Sequence, residues 1–277
     1  FQYKIIALFI IIFMFFFQLR ITDEFKDYEE DLKYRAYRPV QRGIISLKTL
    51  GKIGIATVII QIMLAHVIDP EIIYFMIFVW IYMFLMAKEF FIKKWLTKRI
   101  LIYALSHVVI MIFITLVIVN ATQYIVLDGT ENIFEFGVLQ WNRHNIDFAL
   151  IPLFALNYLN GIVLEIGRKT RRTDEEEHGV QTYSKLWGRK KAVIILSLLF
   201  IIEYLLVILG LTHTYKEYFF FGGLTLLVIL IVSIYFMVKF LKKDLSGKIV
   251  ETVSGLWIIF SSMSLGLLPY LFFSLAK

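Results

Sequence analysis

Eight long apolar runs restrict what this 277-residue chain can fold into. They cover residues 1–19, 53–68, 72–87, 100–119, 147–165, 192–211, 218–238 and 251–275. A helix that spans a bilayer needs roughly 20 mostly apolar residues, and membrane β-strands would instead alternate apolar and polar residues. We therefore predict an all-α protein, a polytopic membrane helical bundle with eight visible spans in one domain over residues 1–277. Only Asp69, Pro70 and Glu71 separate the second and third runs, which predicts a tight helical hairpin.

Composition supports a membrane protein and excludes several other classes. Hydrophobic residues make up 59% of the chain and charged residues 18%, whereas soluble domains have about 45–50% and about 25%. An ordinary soluble protein, a disordered chain and a nucleic-acid-binding domain are therefore excluded. The chain has no Cys, so it can form neither a disulfide framework nor a thiolate metal site.

The basic residues predict the orientation of the spans. If the spans alternate in direction, 25 of the 29 Lys and Arg residues fall in the loops 20–52, 88–99, 168–191 and 239–248. Cytoplasmic loops carry an excess of Lys and Arg, so we place these four loops in the cytoplasm. We expect a multi-pass integral protein of a prokaryotic inner membrane.

The first polar segment of interest follows the first apolar run. Asp23, Asp27 and Asp31 are spaced i, i+4, i+8, which places them on one face of a helix, and Glu24 lies beside them. Carboxylates crowded in this way repel each other unless a cation neutralises them. Mg²⁺ prefers one or two carboxylates together with substrate phosphates, so the segment predicts a Mg²⁺–diphosphate site. The alternative is a solvated acidic helix end in which nearby Lys and Arg residues pair with the acids.

The second polar segment follows the fifth apolar run. Glu165 lies near the end of that run, where ionisable residues are candidates for function by default. A run of four acids begins at Asp174, and basic residues surround both positions. Guanidinium and ammonium groups suit diphosphate oxygens. The alternative is that these cations only satisfy the excess of positive charge in cytoplasmic loops.

Both segments continue through a glycine to a hydroxyl residue that could cap the next helix. The first contains Gly43 and Ser46, and the second contains Gly179 and Thr182. This similarity suggests an internal repeat with two related half-sites.

Other polar residues carry weaker signals. We expect His66 and His107 to be satisfied within helices, and Glu203 to be paired or to line a cavity. No Gly-rich phosphate loop with a following Lys occurs, so the sequence does not indicate nucleotide hydrolysis.

At these two segments the chain resembles the UbiA superfamily of intramembrane prenyltransferases. The family's first motif is Asn-Asp-x-x-Asp-x-x-x-Asp followed by a basic stretch and Arg-Pro. Here Asp23, Glu24, Asp27 and Asp31 occupy its acidic places, and Arg38-Pro39 follows. Gly179, Thr182, Leu186 and Gly188 match the end of the second motif. Glu165 and residues 174–177 stand where that motif has spaced Asp residues.

The resemblance also concerns the number of spans. Family members have nine, with the first motif after the second span, whereas here it follows the first visible one. We therefore expect one more span before Phe1 in the natural protein.

The resemblance implies Mg²⁺-dependent transfer of a prenyl group from a prenyl diphosphate to a hydrophobic acceptor, aromatic or lipid-like. The expected partners are these two substrates and membrane lipid, with no nucleic acid. The implied catalytic residues are Asp27, Asp23 and Glu165. The implied metal ligands are Asp23, Glu24, Asp27, Asp31, Glu165 and Asp174. The implied diphosphate ligands are Arg38, Arg42, Arg168, Lys169, Arg172 and Lys185.

Two alternatives remain open at this stage. A membrane terpene cyclase would ionise the same diphosphate without an acceptor. A cation transporter or permease would use the acidic clusters as a binding site, although transporters usually place such sites near the membrane midplane.

Overall fold

A computed structural model describes residues 2–127, 150–176, 180–214, 217–243, 245–269 and 271. Within these residues the chain forms helices, turns and loops and contains no β-strand, which confirms the predicted fold class. The helices are α1 (Gln2–Lys26), α2 (Tyr28–Tyr34), α3 (Leu47–Ile68), α4 (Ile72–Ala87), α5 (Lys93–Leu96), α6 (Ile100–Val108), α7 (Ile110–Leu127), α8 (Leu150–Arg168), α9 (Tyr183–Trp187), α10 (Arg189–Thr214), α11 (Phe219–Lys243) and α12 (Lys248–Leu265). Short 3₁₀ turns cover Glu89–Phe91 and Thr173–Glu175.

Seven apolar segments of the described chain are long enough to cross a membrane. They are α1, α3, the joined α6 and α7, α8, α10, α11 and α12. The remaining predicted span, the third at 72–87, is α4, whose 16 residues are fewer than a typical span needs. The predicted hairpin is confirmed, since α3 ends at Ile68 and α4 begins at Ile72. Residue 147, the predicted start of the fifth span, lies outside the described residues.

The chain divides into two compact units, Phe1–Glu135 and Phe136–Lys277. In the first unit, α1 packs against α3 and α7, and α4 packs against α7. Ile72, Met76, Val79 and Met83 recur every three or four residues and are buried, so one face of α4 enters the core. Residues from α1, the end of α3 and α7 complete this core.

A buried polar cluster joins α1 to α3 in the first unit. The Gln18 side-chain amide donates to the hydroxyl of Thr57 at 2.9 Å and to Oε1 of Gln61 at 2.7 Å. The Gln61 amide in turn donates to the backbone oxygen of Ile11 at 2.9 Å. Hydrogen bonds of this kind between helices compensate for the absence of a hydrophobic driving force inside lipid.

In the second unit, α8 packs against α10 and α12, and α11 packs against the same two helices. Helices α8 and α12 approach closely at Gly167, where an added Cβ would lie 2.4 Å from Ser254 Oγ. Glu203 of α10 accepts a hydrogen bond from the Trp257 indole of α12, and both side chains are fully buried. Glu203 is therefore paired, one of the two predicted possibilities.

Candidate functional site

The first acidic segment lies at a break between two helices rather than on one helix. Helix α1 ends at Lys26, and Asp27 is the residue that precedes α2. The helical register continues across the break, because the Asp27 and Asp31 amides donate to the backbone oxygens of Asp23 and Asp27 at 2.9 and 2.8 Å. The first turn of α2 contains three acids, Glu29, Glu30 and Asp31, which are favourable at the positive end of a helix.

Asp27 lies at the centre of this crowded group of carboxylates. Its side chain is partly buried, and burial raises the pKa of its carboxyl above the usual range. The charge of Lys26 opposes that rise, whereas Asp23, Asp31 and Glu30 add to it. The charged form of Asp27 is therefore disfavoured, and a bound cation would relieve the repulsion.

Glu24 and Asp23 differ in their exposure. Glu24 is buried, and one of its oxygens pairs with Arg20. Its other oxygen, Oε2, is buried and has no hydrogen-bond partner among the described residues. Asp23 is about half exposed, with 49% of its side chain accessible, and it lies 3.6 Å from the Lys26 ammonium. Asp23 and Glu24 are thus the acids of α1 that retain acceptor capacity.

Asp31 is paired with two arginines instead. It is almost fully buried, accepts from Arg35 at 3.1 Å and pairs with Arg38. Sequence reasoning assigned Asp31 to the metal and Arg38 to the diphosphate, whereas the structure joins these two residues to each other. The next predicted diphosphate ligand, Arg42, is exposed. Asp31 therefore fixes the loop after α2 and holds Arg38 at the edge of the acidic cluster.

A second buried polar network adjoins this cluster, and no motif or spacing in the sequence predicts it. The Lys26 ammonium donates to the Tyr103 hydroxyl at 2.7 Å, and that hydroxyl donates to Glu89 Oε1 at 3.2 Å. The other Glu89 oxygen lies 3.4 Å from His107 Nε2. Burial alone would raise the pKa of Glu89, but His107, Lys26 and Tyr103 together lower it. His107 Nδ1 faces the Tyr103 backbone oxygen at 2.8 Å, so one ring nitrogen is satisfied within the helix as predicted, whereas Nε2 has no hydrogen-bond partner among the described residues.

Glu89 occupies a strained backbone turn. Glu89, Phe90 and Phe91 have φ values of 49°, 51° and 60°, in the left-handed region that residues with a Cβ rarely adopt. Such residues cost about 1–3 kcal/mol each and persist only where their surroundings hold them. Phe90 supplies part of that support by packing edge-on against His107, with ring centroids 5.6 Å apart. The turn therefore places Glu89 beside His107 in addition to connecting α4 to α5.

In the second unit, Glu165 lies between two of the predicted diphosphate ligands. Arg168 and Lys169 reach its carboxylate at 2.6 and 2.7 Å. All three groups belong to the end of α8 and the residue after it, so the i, i+3 and i, i+4 spacings bring them together. The structure therefore neutralises Glu165 with cations of its own helix end.

The loop after α8 contains the remaining predicted residues. Arg172 forms two hydrogen bonds with Asp174, and these are the main cause that lowers the pKa of Asp174. Glu175 accepts from the Gly247 amide at 2.7 Å, and Glu176 accepts from Thr182 and Ser184. Through these hydrogen bonds, Glu175 connects the loop to the start of α12 and Glu176 connects it to the start of α9. Residues 177–179, including Gly179 of the second motif, lie outside the described residues.

Both predicted helix caps are confirmed. The Ser46 hydroxyl accepts from the Thr49 amide at 3.1 Å at the start of α3, and the Thr182 hydroxyl accepts from the Lys185 amide at 3.2 Å at the start of α9. After these caps the two segments differ. Helix α3 continues without a break to Ile68, whereas Gly188, with a φ of 80°, separates α9 from α10. Lys185, the last predicted diphosphate ligand, is exposed on α9.

The donor chemistry of the first cluster fits a hard divalent cation. Among the described residues, no three His, Asp or Glu side chains converge as a ready-made metal site. Mg²⁺ rarely uses such a protein cage, since it keeps several waters and binds one or two carboxylates together with substrate phosphates. The half-exposed Asp23 and the crowded Asp27 offer the one or two carboxylates that such a site needs, and Glu24 beside them has a second oxygen without a hydrogen-bond partner among the described residues.

Comparison with known protein families gives one match. The model of the UbiA prenyltransferase family matches residues 2–247. The chain belongs to this family, which confirms the resemblance of its motifs and indicates a membrane prenyltransferase. Family members generally use a divalent metal, prenyl diphosphate and hydrophobic acceptors. No match was found among curated proteins or solved structures.

Proposed function

We propose that this chain transfers a prenyl group from a prenyl diphosphate to an aromatic or lipid-like acceptor in a Mg²⁺-dependent reaction. The observation that carries the proposal is the crowding of carboxylates around Asp27 at the α1–α2 break, where burial and neighbouring acids disfavour its charge. The carboxylates of this cluster repel each other, and a bound cation would remove that repulsion. A Mg²⁺–diphosphate site requires this property.

The proposed metal ligands in the first unit are Asp23, Asp27 and Glu24. When bound, the metal supplies positive charge to the diphosphate. Asp31 has its oxygens engaged by Arg35 and Arg38, so its proposed role is to position Arg38. Arg38 and the exposed Arg42 are the proposed diphosphate donors of this unit.

In the second unit the proposal involves an exchange of partners. Arg168, Lys169 and Arg172 are held by Glu165 and Asp174 in the structure. Diphosphate oxygens would take the place of Glu165 and Asp174 as partners of these three cations, and Lys185 would bind the diphosphate as well. Glu165 and Asp174 would then be available to bind a metal cation. The starting ion pairs keep the cations in place before substrate arrives.

These cations serve the reaction as well as binding. Negative charge on the diphosphate grows as its bond to the prenyl carbon breaks, so donors aimed at its oxygens stabilise the transition state more than the ground state. Arginine suits this role because its planar fork matches phosphate oxygens and stays charged.

We propose that the loops 20–52, 88–99, 168–191 and 239–248 are cytoplasmic and that the membrane is a prokaryotic inner membrane. The support is the concentration of Lys and Arg in these four loops. Prenyl diphosphate would then present its charged group to the cytoplasmic surface and its tail to lipid.

The test uses purified protein in detergent, prenyl diphosphates of several lengths, candidate acceptors, and either Mg²⁺ or EDTA. We expect Mg²⁺-dependent release of diphosphate together with a prenylated acceptor detected by mass spectrometry. Asp27→Asn should lower both by ~100-fold, whereas Glu29→Gln, which changes an exposed acid of α2, should not. Release with a cyclic hydrocarbon would instead indicate a terpene cyclase. Cation uptake into vesicles without diphosphate release would indicate a transporter.

A further inference from the structure

The buried network beside the acidic cluster runs in one direction because of the chemistry of its groups. An ammonium can only donate hydrogen bonds, so Lys26 donates to the Tyr103 hydroxyl at 2.7 Å. The single hydroxyl proton of Tyr103 is then left for Glu89 Oε1 at 3.2 Å. Tyr103 is therefore a bridge between the cation and the buried carboxylate.

Lys26 is also the cation that lies beside Asp23, whereas Arg20 pairs with Glu24. Its ammonium lies 3.6 Å from Asp23 Oδ1, beyond hydrogen-bond distance, and 3.7 Å from Glu89 Oε1. Only 10% of the side chain is exposed, so water screens these charges poorly. The ammonium therefore lies between the carboxylates of Asp23 and Glu89, and it donates a hydrogen bond to Tyr103.

The opposite end of the network is held firmly. Glu89 is buried in the left-handed turn, and its second oxygen faces His107. The His107 ring stacks on Tyr103 with centroids 3.9 Å apart, which fixes the plane of the phenol. Three elements, the end of α1, the strained turn and α6, therefore determine where the Lys26 ammonium lies.

We infer that Lys26 is the internal counter-cation of the acidic cluster and that Tyr103 and Glu89 are positioning residues that hold it back from Asp23. Held in this way, Lys26 reduces the repulsion among the acids without occupying the oxygens that a divalent cation needs. Released from Tyr103, it would move onto Asp23 and compete with the metal. This inference rests on the proposed metal site at Asp23 and Asp27.

The inference predicts effects of opposite sign on metal affinity. Tyr103→Phe removes the hydroxyl without changing charge, so Lys26 is free to pair with Asp23 and the affinity for Mn²⁺ should fall by about tenfold, as for lost outer-shell partners. Lys26→Met removes a positive charge 3.6 Å from Asp23, and Mn²⁺ should bind about tenfold more tightly, the effect of one charge close to a carboxylate. In a chain that already carries Lys26→Met, adding Tyr103→Phe should change the Mn²⁺ affinity by no more than about twofold, because the tyrosine affects the metal only through Lys26.

The measurement is the binding of Mn²⁺ alone to the purified full chain, followed by the electron paramagnetic resonance signal of the free ion. Lys33→Met is the matched control, since it removes an exposed cation of α2 that lacks contact with Tyr103 in the structure. It should leave the affinity within about twofold of the parent, because exposed charges are screened. If Lys26→Met fails to purify, Lys26→Gln replaces it.

The outcomes separate this inference from the proposed function. Parent protein that binds Mn²⁺ with an affinity unchanged by Tyr103→Phe would overturn the positioning role and leave the metal site standing. Equal losses from Tyr103→Phe with and without Lys26 would also overturn it, since the phenol would then act independently. Parent protein that binds no Mn²⁺, either alone or with added inorganic diphosphate, would overturn both.

Discussion

Asp27→Asn and Asp31→Asn are the same chemical change one helical turn apart, and we expect them to affect stability in opposite ways. Asp31 is 1% exposed and lies between two guanidinium groups. Asp27 lies among other acids, and burial together with these neighbours raises the pKa of its carboxyl. Loss of the Asp31 charge removes a favourable interaction, whereas loss of the Asp27 charge removes an unfavourable one.

The magnitude for Asp31 follows from its ion pairs. At 3.1 Å, the Arg35–Asp31 interaction is worth about 5 kcal/mol with an effective dielectric constant of 20. Removal of one partner from a buried pair costs about 3–5 kcal/mol in practice. Both arginines are 22% exposed, so water compensates in part. We therefore expect about 3 kcal/mol of destabilisation, or about 6 °C in Tm for a chain of this size.

The expectation for Asp27 depends on pH. Its pKa is higher in the folded than in the unfolded chain, so its charge costs stability above the folded pKa and costs nothing below the unfolded value of about 3.9. Asp27→Asn should thus keep or raise the Tm at pH 7, and the gain should shrink as the pH falls toward 4. The same variant should lose Mg²⁺-dependent diphosphate release by ~100-fold, since it removes a proposed metal ligand.

The assay is thermal unfolding of detergent-purified protein without Mg²⁺, followed by tryptophan fluorescence at pH 7 and near pH 4.5. Glu29→Gln, on the exposed side of α2, is the control for loss of an acid without buried partners. A fall in Tm for Asp27→Asn as large as that for Asp31→Asn would refute the assignment of one acid to function and the other to structure. An unchanged Tm in Asp31→Asn would show that its two arginines do not stabilise the fold.

Three further outcomes are expected. Cysteines placed at Tyr34 and Gln181, both exposed in a chain that lacks cysteine, should be labelled by an impermeant reagent from the same, cytoplasmic side, and labelling from opposite sides would contradict the proposed orientation. Gly167→Ala should destabilise the chain by about 1–3 kcal/mol through its clash with Ser254, and Ser254→Gly should restore part of that loss in a denaturation measurement. Lys169→Ala should raise KM for prenyl diphosphate and lower kcat, because its charge helps the leaving group; steady-state kinetics with kcat unchanged would indicate uniform binding only.

Sequence reasoning recovered the features that depend on local pattern. Apolar runs located the eight apolar segments, and the chemistry of Ser46 and Thr182 located two helix starts. The ends of the helices were less accurate. The acidic segment is predicted to be one continuous helix face, but α1 ends at Lys26 and α2 begins at Tyr28, so the break falls at Asp27.

Features that depend on pairing across the chain could not be predicted. Asp31 and Arg38 each matched a functional motif, and only the folded loop shows that they pair with each other. Glu89 and His107 are 18 positions apart, with no spacing rule that links them, and the left-handed turn at Glu89 contains no glycine to reveal it. Side-chain pairing between elements depends on packing geometry, which composition and periodicity do not contain.

The shortness of α4 has a consequence for the lipid around the protein. At 1.5 Å per residue, its 16 residues extend about 24 Å, less than the roughly 30 Å thickness of a typical hydrocarbon core. The strained turn after Ala87 prevents the helix from growing longer. A span too short for its bilayer thins the surrounding lipid at a cost of a fraction of a kcal/mol per Å. Lipids with longer acyl chains should therefore strain the protein first at the end of α4 that leads to Glu89, which lies 3.7 Å from the lysine of the acidic cluster.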